Sequence, residues 1–398
     1  MSSSTASYPS SSRAWLEQLV SFNTVSSNSN LALIDYVDTV LAELAATPGQ
    51  PLTTERIPND DGSKTNLLVR IGPDVEGGVV LSGHTDVVPV EGQQWSSDPF
   101  TVTEREGRLY GRGTADMKGF IACCLAQVPT WRQLPLQRPI LLALSYDEEI
   151  GCVGAPRMIE RLAARSDRPA IAIIGEPTML QAINRQKGIT DLMTRVTGLE
   201  AHSSQIPDGV SAIHVAGKLI SKIDAIMEEL SGGDALNPAY NVPYSTLHVG
   251  TIKGGTAVNI MAGQCAFEWE IRDLPEYGFD TVFERFQSYA SELEADLRTR
   301  APSVSITTTQ VVETVPGLNS LDDAPALRFI LPMLENGTTG AVAFATEAGQ
   351  FQRAGFSAVI CGPGNIAVAH KPDEYLELEQ LDKADTLMQQ IGEAMTHA

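Results

Sequence analysis

The sequence has no CxxC pair, and its five cysteines (Cys123, Cys124, Cys152, Cys265, Cys361) are odd in number. A thiolate zinc site therefore lacks its ligand pairs. An odd set containing one adjacent pair also makes a poor disulfide framework, which points to a reducing, cytoplasmic setting. Cations are scarce as well: 28 Lys and Arg stand against 49 Asp and Glu, a formal net charge of -21. Nucleic acid and anionic membrane are poor partners for such a surface, because phosphates select clustered Lys and Arg. No apolar run reaches the roughly 18 residues that a membrane span needs. The Ser-rich opening, residues 1–13, has neither the charged nor the apolar region of a secretory signal and reads as a frayed tail. Histidine is rare too, with six in the chain, so the position of each one is informative.

At 398 residues the chain exceeds what one hydrophobic core usually holds, which predicts two domains. Residues 14–46 carry apolar side chains at helical spacing, broken by Asn and Ser, which suits two helices. Short apolar runs bounded by Gly and Pro follow at 65–71 and 78–83, and again at 139–146 and 170–174. They alternate with helical stretches at 117–127 and 155–164. Buried strands alternating with helices predict an α/β domain, a mixed sheet flanked by helices, over residues 1–182 and again over 314–398. Between them, residues 183–313 change character. Amphipathic helices near 210–230 and 279–297 lie among half-exposed strands in the order β-α-β-β-α-β, the pattern of an inserted ferredoxin-like α+β domain.

The stretch on which the chemistry turns is Asp147-Glu148-Glu149, at the end of the apolar run 139–146. Three consecutive carboxylates delivered by a buried strand repel one another unless a cation sits among them. Read alone, the triplet is an acidic loop in water. Other strand ends, however, stop on ligand-type residues too: His84 and Asp86 after 78–83, Asp116 after Gly111-x-Gly113, and Glu176 after 170–174. His370 lies near the C-terminus. Imidazoles mixed with carboxylates, without thiols, suit Zn²⁺, Mn²⁺ or Co²⁺, and five such ligands with one shared carboxylate would hold a metal pair. Asp86, two residues beyond His84 on an extended backbone, can orient the imidazole. The neighbours Glu148 and Glu149 cannot both face one ion easily, so one ligand and one general base is the natural division. A dinucleotide reading of Gly111-x-Gly113 is weak, because Asp116 replaces the third glycine and would repel a pyrophosphate. Glu176 could alternatively cap a helix after Pro177, and His84 alone could be a core histidine. His214, His248 and His397 read as structural.

The ordered set Ser82-Gly-His-Thr-Asp-Val-Val-Pro89, Gly111-Arg-Gly-Thr-Ala-Asp-Met-Lys-Gly119, Asp147-Glu-Glu149, Gly175-Glu-Pro-Thr178, Ala201-His-Ser-Ser204 and Ala369-His-Lys-Pro-Asp-Glu-Tyr375 resembles the M20 family of dinuclear zinc deacylases and peptidases. The resemblance implies His84 and Glu176 as ligands of one zinc, Glu149 and His370 as ligands of the other, and Asp116 as the bridge. It makes Glu148 the general base, with Asp86 supporting His84. It implies that His202, in the inserted dimerisation or lid domain, reaches the partner's active site in a homodimer. Asn259 and Arg272 match positions that contact the substrate in relatives. Glu176, where carboxypeptidase-like members tend to carry Asp, together with Phe344-Ala-Thr-Glu-Ala-Gly349 and Asp98-Pro-Phe100, implies hydrolysis of the acetyl amide of Nα-acetylornithine in arginine biosynthesis. N-succinyl-diaminopimelate and other N-acyl amino acids are the alternative substrates, and a catalytically silent metal-binding protein is the alternative of another class. Ile150-Gly-Cys152 and Gly349-Gln-Phe351 depart from the family pattern and bear on the acyl amino acid rather than on the chemistry.

Overall fold

The computed structural model describes residues 8–397. The chain forms two compact units. One comprises the residues up to Asn184 together with Ser320–Gly340 and Thr346 onward, and the other comprises Arg185–Asn319 with Ala341–Ala345. The expected return to the α/β domain at residue 314 thus falls later, at Ser320, and the apolar run at 341–344 joins the second unit instead. The physical reason is local. This run is strand only through Val342, and Lys187 N donates to Val342 O at 3.3 Å, tying it to residues just past the unit boundary.

In the first unit the central sheet is built on four parallel strands, Val79–His84, Ile140–Ser145, Ile171–Pro177 and Ser357–Gly362. Nearly every residue in them is buried, because helices cover both faces and a strand wetted on neither side must be apolar throughout. Leu52–Pro58 and Thr65–Ile71 extend one side of the sheet as an antiparallel pair. On one face lies the helix Lys118–Trp131, which is apolar all round and almost wholly buried. Phe120 of this helix presses on the strand Ile171–Pro177 so closely that a Cβ on Gly175 would lie 2.1 Å from the Phe120 ring. Only glycine allows that approach.

Parallel strands share one carboxyl edge, and this is where ligands gather in open α/β sheets. His84 lies opposite Ser145 in the ladder, so the acidic triplet begins two residues past the residue beside His84. A second, three-stranded sheet of Thr103–Arg105, Arg108–Tyr110 and Tyr375–Glu377 brings residues 370–374 back beside residues 93–116. No periodicity in the sequence announces strands this short.

The second unit has four antiparallel strands, Thr190–Thr197, Thr246–Gly254, Gln264–Arg272 and Ser305–Gln310, with the helices Ala212–Gly232 and Gly278–Arg298. In sheet order the second strand comes first, then the third, the first and the fourth. That is the ferredoxin-like arrangement expected from the element order. The opening tail is shorter than expected: Ser11 Oγ accepts from Ala14 N and starts a helix at Ser12. Residues 1–7 of that tail lie outside the described residues. No helix among the described residues is long and apolar enough to cross a membrane.

Candidate metal centre

At the carboxyl edge of the first unit, Asp116 stands between two imidazoles. Its Oδ1 lies 3.0 Å from His84 Nε2 and its Oδ2 lies 3.3 Å from His370 Nε2. His84 Nε2 is 3.8 Å from Glu176 Oε1, and His370 Nε2 is 3.0 Å from Glu149 Oε2. Ligand atoms of His84, Asp116 and Glu149, and separately of His84, Glu148 and Glu176, lie within 4.8 Å of one another, close enough for each group to hold a metal ion. The second group includes Glu148 beside His84, so both acidic neighbours of the triplet turn into the cluster.

The electrostatics point the same way. Glu148, Glu149 and Glu176 all have their carboxyl pKa pushed up, first by burial. Repulsion from Asp116 adds to this at each of them; Glu149 also repels Glu148, and both repel Glu176. For Glu148 and Glu176 the rise is large. Burial opposes the His84 cation, yet hydrogen bonding to Asp116 and the Asp86 carboxylate push its pKa well up. His370, bonded to Asp116 and Glu149, is pushed up to about 10. Glu149 Oε1 and Glu176 Oε1 are buried without a hydrogen-bond partner. Orphaned carboxylate oxygens within a cluster of repelling acids are what a bound cation relieves, and the donor set contains no thiolate.

The supporting contacts differ in part from expectation. His84 Nδ1 is held by the main-chain oxygen of Asp86 at 2.9 Å, whereas the Asp86 carboxylate is 3.6 Å away, too far for a hydrogen bond. That carboxylate instead accepts from Glu148 N (3.1 Å), Glu149 N (3.3 Å) and Ser26 Oγ (2.7 Å), fastening the loop that carries both glutamates. Asp147, which had no role in the sequence reading, is left-handed at φ 56° and pairs with Lys64. No helix follows Pro177, so Glu176 is not a cap. Sequence reasoning missed three neighbours. Cys152 Sγ donates to Glu148 Oε1 at 3.3 Å, and Ser82 Oγ donates to the buried Glu347 at 2.9 Å. Glu374 accepts from Ala115 N and Asp116 N. For Glu374, its place in the segment shared with His370 was the available signal.

The model of "Peptidase family M20/M25/M40" matches residues 80–394. The chain belongs to the M20 family. This M20 chain is 35% identical over 379 residues to "Acetylornithine deacetylase" of Myxococcus xanthus, covering 94% of the chain and 95% of that protein. It is 35% identical over 366 residues to the protein of the same name from Proteus mirabilis, covering 92% and 90%. Among solved structures, a tripeptidase from Staphylococcus aureus aligns with TM-score 0.75 at 18% identity over 97% of this chain and 98% of that one, which is a likeness of fold. As an M20 member the chain is a hydrolase acting on amides.

The remaining candidates lie in the second unit. His202 and Asn259 are neighbours there: Ser203 N donates to Asn259 O at 3.1 Å, and His202 bridges Ile260. His202 is exposed, and its Nδ1 lies 2.9 Å from Ser204 Oγ and 3.2 Å from Ser204 N. Arg272, at a strand end, is paired with Glu270 at 2.9 Å. His214, His248 and His397 are exposed.

Proposed function

We propose that the protein removes the acetyl group of Nα-acetyl-L-ornithine, giving acetate and L-ornithine for arginine biosynthesis, and that it works with two zinc ions. The observation that supports this most directly is the placement of Asp116, one oxygen toward His84 and the other toward His370, with Glu148 alongside. The names borne by relatives spanning nearly the whole chain support the choice of substrate.

In this reading His84 and Glu176 would hold one ion and His370 and Glu149 the other, with Asp116, placed between the two imidazoles, shared between the sites. When bound, the pair supplies Lewis acidity toward the acyl oxygen and makes water more acidic. Cobalt or manganese fits the same donors. Glu148 takes the proton of the attacking water and returns it to the leaving amine, and one of its oxygens is steadied by the Cys152 thiol. In a homodimer, His202 of one protomer donates a ring N–H to the oxyanion forming in the other. Asn259 contacts the substrate, and the Arg272 guanidinium binds the α-carboxylate, exchanging Glu270 for it.

The substrate assignment is tested by kcat/KM on Nα-acetylornithine, N-succinyl-diaminopimelate and a panel of N-acetyl amino acids. Preference for the first by tenfold or more is expected. Preference for the succinyl compound would replace the assignment with desuccinylation, and no turnover of any panel member by the zinc-loaded protein would point to the silent metal-binding alternative.

A further inference from the structure

His370 sits in a left-handed conformation, φ 62°, and so does Asp373, φ 56°. Neither is glycine, and such backbone persists where the surroundings over-determine it. The surroundings here are a chain of side chains from two other segments. Gln93 Nε2 donates to His370 O at 2.9 Å. Gln93 Oε1 accepts from Arg112 Nη2 at 2.7 Å and from Trp95 Nε1 at 3.1 Å, and the Arg112 guanidinium lies 5.0 Å from the centre of the Trp95 ring. Arg112 Nη1 donates to Glu374 Oε2 at 2.7 Å, and Glu374 Oε1 accepts from Ala115 N at 2.9 Å and Asp116 N at 3.1 Å. Arg112 and Glu374 are each 1% exposed. Ser96 N and Oγ hold the Asp373 carboxylate at 2.9 and 2.7 Å.

The relay therefore runs from the carbonyl of His370 through Gln93 and Arg112 to Glu374, and from there to the backbone of Asp116. Its two ends are different in kind. Glu374 grips the segment that carries the shared carboxylate, whereas Gln93 bonds the His370 carbonyl directly and reaches Asp116 only through Arg112 and Glu374. His370 is also the least enclosed member of the cluster, its side chain 54% exposed; its ring meets Asp116 and Glu149, and its carbonyl is gripped by Gln93.

We propose that Gln93 is a positioning residue for one metal of the pair. It fixes the left-handed backbone of His370, so the ion held by His370 and Glu149 depends on it while the ion held by His84 and Glu176 does not. This rests on the ligand assignment proposed above. Outer partners that orient a ligand are worth 10–100-fold in metal affinity, and here that dependence falls on a single site.

The test uses the full-length protein stripped of metal and two variants. Gln93→Glu keeps the acceptor for Arg112 and Trp95 but turns a carboxylate oxygen toward the His370 carbonyl. Gln93→Met removes the donor without adding charge and removes the acceptor for Arg112 and Trp95 as well, so the effect common to both variants is the one that reports the lost bond to the His370 carbonyl. Zinc titration by calorimetry and the visible absorption of the cobalt-loaded proteins are read against the Tm of each metal-free form. The expected result is one equivalent bound as tightly as in wild type and a second weakened about 10–100-fold in both variants, with cobalt absorption saturating in two separated stages. Two unweakened equivalents would overturn the inference. So would parallel weakening of both in step with a fall in Tm, which is the signature of a merely structural role. If wild type itself binds fewer than two equivalents, the ligand assignment beneath the inference fails as well.

Discussion

Replacing Asp86 by Asn changes one atom of a side chain that is 2% exposed, and the structure says what that atom does. The carboxylate accepts three hydrogen bonds, from Glu148 N, Glu149 N and Ser26 Oγ. An amide offers one acceptor oxygen, so its NH₂ must face the N–H of Glu148 or Glu149 while the Ser26 hydroxyl can turn to accept. One buried N–H is then left unpaired, at about 1–3 kcal/mol, and the bond that remains loses its charge assistance, worth about 1 kcal/mol more. Asp86→Asn should therefore destabilise the protein by about 2–4 kcal/mol at neutral pH. Because the freed N–H belongs to the loop carrying Glu148 and Glu149, kcat/KM should also fall about 10–100-fold. The Asp86 carboxyl pKa is lowered overall: burial opposes this, but His84, Ser26 and the Glu148 N–H outweigh burial. A depressed carboxylate contributes stability above its unfolded pKa and loses it as pH falls, so the gap between wild type and variant should close in acid, below about pH 4. Urea unfolding from pH 3 to 8, with kcat/KM on Nα-acetylornithine, measures both effects. Stability within about 0.5 kcal/mol of wild type, together with kcat/KM within a factor of two at pH 7, would refute the reasoning.

Three further outcomes follow from the same site. Glu148→Gln should lower kcat about 10²–10⁴-fold while metal content by elemental analysis stays at the wild-type value; metal loss in parallel would make Glu148 a ligand instead. Glu148, Glu149 and Glu176 carry raised carboxyl pKa values, from burial and then from neighbouring acids. Such groups favour the folded metal-free protein at low pH and penalise it as pH rises through their folded pKa. Metal-free protein should thus lose Tm as pH rises above the ordinary carboxyl range of about 4, zinc should restore more Tm at the alkaline than at the acid end of the series, and calorimetry in two buffers should register protons released on binding. Gly175→Ala would place a Cβ 2.1 Å from the Phe120 ring; overpacking of this kind costs about 1–3 kcal/mol, readable as a lower Tm, and should displace Glu176 enough to weaken metal binding.

The strand ends were readable from sequence because a run such as Ile140–Ser145 is apolar at every position and then stops on acids, which a wetted strand has no reason to do. The ferredoxin-like unit was readable from element order, since its helices are long and amphipathic. What escaped were contacts between segments distant in sequence. Asp86 seemed placed to steady His84, two residues away, and its backbone does so, but its carboxylate crosses to a loop some sixty residues on. Glu374 stands four residues past His370, yet its partners are Arg112 and the amides of Ala115 and Asp116, joined by strands of three residues that carry no period. The unit boundary escaped for a similar reason: 341–344 is apolar enough for a core strand, and its strand Thr339–Val342 does pair with Ala182–Gln186, yet residues 341–345 group with the second unit.

The central claim, a two-metal amidohydrolase acting on an N-acetylated amino acid, is tested most directly by stripping the protein of metal and titrating zinc while following hydrolysis of Nα-acetylornithine. The account predicts no turnover without metal and activity that rises to a plateau at two zinc ions per chain. Turnover by the metal-free protein, or a plateau already reached at one zinc ion per chain, would contradict it.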